Sequence, residues 1–397
     1  MDRKFTFLIL LTGTACFIMN DFMLNYLRFL WQSARLPFFD FPGQWALCAY
    51  TLRGIDPYPL RGMKPTLIEE IDFIIPIEWS TSPWGLVLGN FFYPSFLALE
   101  EAMVYFTWLN YIFFVLTAFI VSKKLKCGLG SFSVFFVTIT MFTAHFLVSE
   151  YFGNAGAVIC CLMILSCLYA DERPIAAGVI LAFAMIKPQV ALPICFALLL
   201  RKNFKVLFAA AATDLVAWGV AALITNQTPL TLLSESMAES AGGRAVFSGL
   251  FTMLFPDDKF FAMVTGMLAG TIFIFLIQRT NFGNEKFFWA CPAFLSTTFF
   301  AYSFHNEFLA LLLPALACLY LAAHQKFFRE KIFWLAAMIF MATAPYALYL
   351  SLSLWIDDKT NLFWTARTTF AVILILLGCL MAKKFSEVSA RNQSAVT

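Results

Sequence analysis

An acid set among aromatic residues is the first place in this chain where chemistry could be done. Asp40 stands in Phe38-Phe39-Asp40-Phe41, ahead of a stretch that closes in Gly54-Ile55-Asp56-Pro57-Tyr58. Apolar neighbours hold a carboxylate towards its protonated form, which suits a general base. The same residue also reads as a solvated loop acid or as an N-cap for the segment after it. Lys187, in Ile186-Lys187-Pro188-Gln189, is the second candidate. It falls between two short apolar runs, and Pro188 interrupts the helix there, as backbone lining a membrane cavity can tolerate. An ammonium at that point suits a phosphate. It equally suits a lysine snorkelling from a helix end. A third cluster, Ser303-Phe304-His305-Asn306-Glu307, places a histidine beside a carboxylate, able to donate to a hydroxyl or a phosphate. The fourth is Tyr151-Phe152-Gly153-Asn154, preceded by His145 and Glu150, with a glycine that permits close backbone approach. Both clusters also read as ordinary polar turns. Arg244 and Arg367 add two cations that suit an anionic head group or solvent alike.

The elements that must carry these residues are set by composition. Of 397 residues, 61% are hydrophobic and only 13% charged, against roughly 25% charged in an ordinary soluble domain. A mean hydropathy of +0.79 makes lipid the solvent for most of the surface. Phenylalanine, at 48 residues, suits lipid-facing helices, and tryptophan and tyrosine suit the interfaces. A net charge of +3 leaves no broad electrostatic footprint for nucleic acid. The ten cysteines are scattered, without a CxxC or a Cys/His cluster, so neither a disulfide framework nor a metal site is expected.

Apolar runs predict helices near 5–19, 103–121, 131–149, 154–170, 174–186, 190–200, 204–225, 258–277, 287–303, 308–322, 332–353 and 366–382. The expected fold is all-α and polytopic: a bundle of about 10–12 transmembrane helices with a large first extracytoplasmic loop over 20–102. The short pair 174–186 and 190–200 reads as two half-depth helices or as one kinked span. Counted as two crossings, it puts Lys123, Lys124, Lys126, Arg201, Lys202, Lys205, Arg279, Lys286, Lys326, Arg329, Lys331, Lys383 and Lys384 on one face. The positive-inside rule makes that face cytoplasmic, with both termini inside. All the candidate residues above then fall on the other side. Within the first loop, 84–99 is apolar enough to lie in the interface. The chain reads as one membrane domain over 1–385. It is followed by a cytoplasmic tail, 386–397, in which SEVSARNQSAVT reads as disordered.

Taken in order, these positions resemble family 87 of the glycosyltransferases, polyprenol-phosphate-dependent enzymes of the membrane-embedded C superfamily. Asp40 and the Gly54-Ile55-Asp56-Pro57-Tyr58 turn match the family's first-loop pattern, and Tyr93-Pro94 matches a step towards the next span. Gly153-Asn154, Lys187-Pro188-Gln189, and Ser303, His305 and Leu312-Leu313-Pro314 follow in family order. There are two departures. Asn154 stands where glutamine is more usual, and the late turn lacks a tryptophan beside His305.

The resemblance implies an inverting glycosyltransferase of the bacterial inner membrane. The donor is a sugar on polyprenyl monophosphate, with mannose or another hexose or pentose as the sugar. The acceptor is a glycolipid, a polysaccharide or a protein. Asp40 is then the base. Lys187, His305, Arg244 and Arg367 hold the donor phosphate, and Gln44, Asp56, Tyr58, Asn154, Gln189 and Glu307 contact substrate. No cofactor is implied, and a monophosphate leaving group in a basic clamp does not demand a metal. A secondary transporter or lipid flippase is the principal rival, because it too explains spans, a broken helix and an intramembrane lysine. A polyprenyl-diphosphate polymer ligase and a plain membrane scaffold complete the alternatives.

Overall fold

The computed structural model describes residues 7, 9–15, 17–18, 41–60, 82–125, 130–151, 153–242, 259–279, 288–300, 308–353 and 359–394. Among them the chain is helical, with no strand. After a helical stretch between 7 and 18, the helices are α1 (Phe41–Leu52), α2 (Gly85–Leu88), α3 (Leu99–Lys124), α4 (Ser131–Tyr151), α5 (Gly156–Tyr169), α6 (Pro174–Ala184) and α7 (Pro188–Leu200). There follow α8 (Phe204–Thr225), α9 (Pro229–Gly242), α10 (Lys259–Gln278), α11 (Cys291–Phe300), α12 (Leu312–Ala323), α13 (Phe328–Ser353) and α14 (Lys359–Ser394). By length and composition α3, α8 and Thr369–Val388 of α14 are able to cross a membrane. Large apolar side chains lie bare along them, including Trp108, Ile112 and Phe119 on α3 and Leu215, Val216 and Leu223 on α8. Such a surface belongs in lipid. The protein is an all-α polytopic membrane protein.

The chain divides into two compact units, one of residues 36–114 and 149–248, the other of 1–35, 115–148 and 249–397. In the first, α5 is apolar on every side and buried from Gly156 to Leu168, as a helix enclosed by protein must be. Ser166 Oγ donates to the Ala177 carbonyl at 2.9 Å, tying α5 to α6. Pro174 opens α6 at its first turn, where its missing N–H is not needed. Pro188 then bars the helical conformation from the residue before it. Lys187 accordingly takes φ −109° and ψ 78° and caps α7. The two short helices run antiparallel: the far end of α7 returns Arg201 to Asp171 at 3.4 Å and Asn203 to the Ala170 carbonyl at 3.1 Å. They are therefore two elements and not one kinked span. Gly178 lets α6 meet α8 backbone to backbone, since a Cβ there would lie 2.4 Å from the Val206 carbonyl oxygen.

The segment 84–99 packs against other helices of this unit. Leu86, Phe92 and Tyr93 are buried, and Trp84 Nε1 donates to the Met185 carbonyl at 2.9 Å. Apolar composition alone does not distinguish a lipid-facing ring from one packed on protein.

In the second unit α12 is enclosed from Leu312 to Ala322, and α14 packs beside it. Gly378 admits the Phe273 and Leu295 side chains. Within the segment expected as a tail, α14 continues to Ser394. Phe385 and Val388 are buried, Phe385 stacks on Tyr320, and Lys384 pairs with Glu330 and Glu387 at 3.2 Å each. Those contacts offset the entropy that a polar tail keeps when nothing holds it.

Candidate active site

Three helix ends of the first unit converge on Asn154 and Lys187. Gly153 turns the chain out of α4 with φ +66°, a conformation that glycine adopts without a steric penalty. Ser149 brackets the turn: its hydroxyl donates to the Asn154 carbonyl at 2.8 Å and accepts the Ala157 N–H at 3.1 Å. The Asn154 side-chain oxygen accepts the Gly156 N–H at 2.9 Å, starting α5. The same oxygen accepts a hydrogen bond from Lys187 Nζ. Lys187 is half-buried, and among the described residues no carboxylate pairs with it. A cation held only by a neutral amide keeps its charge available for an anion.

A second layer of contacts leads from this pair to the first loop. The Tyr93 hydroxyl accepts the Ala155 N–H at 3.0 Å. Its ring lies against Phe41, centroids 5.2 Å apart, and Phe41 also packs on Phe106 at 5.1 Å. Phe41 is the first residue of α1 and fully buried. Asp40, the residue before it, lies outside the described residues, as do Arg244, His305 and Glu307. Gln44 is half-buried on α1. Gln189 and Arg367 fall within α7 and α14.

At the other end of α1, Gly54 adopts φ +77°. The Ile55 and Gly54 N–H groups return to the Tyr50 and Thr51 carbonyls at 3.0 and 2.9 Å, a Schellman closure. Asp56 Oδ1 then accepts the Tyr58 N–H at 3.0 Å. Asp56 Oδ2 is buried without a partner among the described residues, and Tyr58 is fully buried. The sequence motif is thus first of all a helix stop, with one carboxylate oxygen left over. A buried oxygen in that state calls for a donor, from water or from a ligand hydroxyl.

Residues 85–290, just over half of the chain, match the family model of glycosyltransferase family 87. The chain belongs to glycosyltransferase family 87. Its family-87 region runs from α2 to the 3-10 turn before α11, and holds Tyr93, Asn154, Lys187, Gln189 and Arg244. Asp40, the 54–58 turn and the late 303–314 segment lie beyond it. No curated protein matches the chain. Membership makes this membrane protein a glycosyltransferase and sets aside the transporter and scaffold readings.

Sequence reasoning passed over three residues of this unit. Tyr93 stands out in the sequence only as part of Tyr93-Pro94, and its hydroxyl holds the Asn154 turn. Ser149 gave no signal, being one of three serines in a largely apolar helix. Asp214 did give one, as the single acid of the apolar helix Phe204–Thr225. Its Oδ1 is buried without a partner among the described residues. Among the described residues no three of His, Cys, Asp and Glu gather where a metal ion could sit.

Proposed function

We propose that the protein is an inverting transferase that moves a sugar from polyprenyl monophosphate to an extracytoplasmic acceptor. The observation that carries this reading is the Lys187–Asn154 pair at the meeting point of short helices. With 11 and 13 residues, α6 and α7 extend about 16 and 20 Å. A hydrocarbon core is about 30 Å thick. Arg173, Arg201, Lys202 and Lys205 gather at one end of these helices, and the positive-inside rule sets that end at the cytoplasmic interface. Lys187, at the other end, then lies about 10 Å below the outer interface. A monophosphate whose isoprenoid tail stays in the outer leaflet is an anion of suitable depth.

In this reading the acceptor hydroxyl gives its proton to Asp40. The hydroxyl oxygen bonds the anomeric carbon, the carbon–oxygen bond to the phosphate breaks on the opposite face, and polyprenyl phosphate leaves. Lys187 stabilises the charge growing on the leaving oxygen, as do Arg244, Arg367 and His305. Water is scarce at that depth, so each such contact is strengthened. Asp56, with an unused carboxylate oxygen, binds a sugar or acceptor hydroxyl, beside Gln44, Tyr58, Asn154, Gln189 and Glu307. The link from Phe41 through Tyr93 to Ala155 supports Asp40 as the base, because it ties Asp40's neighbour to the Asn154 turn. Mannose is the sugar we expect, and the reaction is expected to need no divalent ion. Turnover that vanishes with a chelator and returns with Mg²⁺ or Mn²⁺ would refute the last point.

The test is donor turnover. Purified protein in liposomes receives polyprenyl-phosphate mannose and a lipid extract, and released polyprenyl phosphate is followed for wild type and Asp40→Asn. Release that depends on Asp40 is expected. Absence of release from any polyprenyl-phosphate sugar would overturn the reading.

A further inference from the structure

At the end of α6 far from Lys187, the protein carries an open groove of about 720 Å³. Arg173, which caps α6, lines it with Pro174, Ile175 and Ala176 of that helix, and Lys205, Phe208 and Ala209 line it from α8. It lies beside the tight approach of α6 and α8 at Gly178 and Val206. Ala176 and Ala209 contribute only methyl groups to its lining. Ile175 and Phe208 are 69% and 73% exposed, far more than large apolar side chains of a water-facing surface usually are. The lining includes two cations and no acid. Of the two acids just before Arg173, Asp171 is engaged by Arg201 at 3.4 Å and faces the Asn203 amide at 3.5 Å, and Glu172 is not part of the lining. Among the described residues Arg173 and Lys205 have no ion-pair partner. The groove therefore combines a positive mouth with bare apolar walls, at the end of the helices where basic residues collect.

We propose that this groove binds an anionic phospholipid. Its phosphate sits between the Arg173 guanidinium and the Lys205 ammonium, and its acyl chains run along Ile175 and Phe208. Charge complementarity selects an anionic head group over a zwitterionic one, and the exposed Ile175 and Phe208 select a lipid over a free anion. The site is separate from the donor pair, which lies at the opposite end of the 11-residue helix α6.

The full-length protein in nonionic detergent is titrated with phosphatidylglycerol and with phosphatidylcholine of the same chains, and bound lipid is counted by native mass spectrometry. Wild type is expected to prefer phosphatidylglycerol. Each basic contact near the surface contributes about 1 kcal/mol, so Arg173→Gln with Lys205→Gln should weaken that lipid about 30-fold and leave phosphatidylcholine unchanged. The charge-conserving pair Arg173→Lys with Lys205→Arg should bind as wild type does, which separates lost charge from lost folding. Inorganic phosphate should not compete. Equal phosphatidylglycerol binding by wild type and the glutamine pair would overturn the proposal. So would an equal loss from Lys326→Gln, a basic residue of the other unit, or displacement of the lipid by phosphate.

Discussion

Removing the Lys187 charge should separate catalysis from folding. In Lys187→Gln the hydrogen bond to Asn154 is altered, yet the Asn154 oxygen keeps the Gly156 N–H at 2.9 Å. No buried acceptor is orphaned. A hydrogen bond involving a charged group contributes about 1.5–3 kcal/mol, but the half-buried ammonium also gives up its desolvation penalty when it is replaced. The two effects oppose one another, so the net change in stability should stay within about 1 kcal/mol. A broken buried ion pair would instead cost about 3–5 kcal/mol. Loss of one donor to a developing oxyanion costs about 10²–10³ in rate. Lys187→Gln should therefore keep its melting temperature within a few degrees of wild type and release polyprenyl phosphate at least 100-fold more slowly. Thermal unfolding in detergent and the liposome turnover assay read the two effects separately. Undiminished turnover would remove Lys187 from the donor site. A variant that loses stability like a broken ion pair, with normal activity in its folded fraction, would show the lysine to be structural.

The neighbouring contacts give sharper tests of folding. Tyr93→Phe keeps the ring between Phe41 and Phe106 but deprives the Ala155 N–H of its acceptor, so it should destabilise by about 1–3 kcal/mol, read as a lower melting temperature. Gly178→Val places a Cβ where the Val206 carbonyl already lies. It should lower the melting temperature by more than Tyr93→Phe does, since backbone and not a side-chain tip must move; a neutral result would mean α6 and α8 do not cross there. Asp40→Asn should lower kcat about 10²–10⁴-fold with KM little changed, and a rise in KM alone would mark it as a binding residue.

Much of the helical architecture was legible in the sequence. The apolar runs at 154–170, 174–186, 190–200 and 204–225 coincide with α5 to α8 within a few residues, because hydropathy reports burial from water directly. The reach of α14 was not legible. Its last turns are polar, and they are held by Phe385 and Lys384 finding partners far away in sequence. The meeting of Asn154 with Lys187 was also hidden, since 33 residues separate them. Each was visible alone as a polar residue beside a helix break, but only the antiparallel return of α6 and α7 brings the breaks together. Asp214 is legible in the sequence, since a single acid in an apolar span is a candidate wherever it stands.

One of the two departures named from the sequence resemblance, Asn154 in place of a glutamine, falls on the turn between α4 and α5. Asn154 bonds the N–H two residues ahead, an Asx turn that begins α5. Its oxygen also receives Lys187, so one short side chain fixes both a helix start and the direction of the ammonium. A glutamine carries one more methylene and cannot hold its carbonyl against Gly156 in the same way. It can still reach a lysine. Asn154→Gln should thus lower stability by about 1 kcal/mol, the value of one turn hydrogen bond, while keeping most of the turnover. Asn154→Ala should lose the turn and the lysine's partner together, raising the donor KM as well as lowering the melting temperature. If the glutamine variant loses turnover as fully as the alanine variant, the placement of Lys187 depends on the Asx turn itself. The asparagine is then a requirement of this chain's site rather than a tolerated exchange.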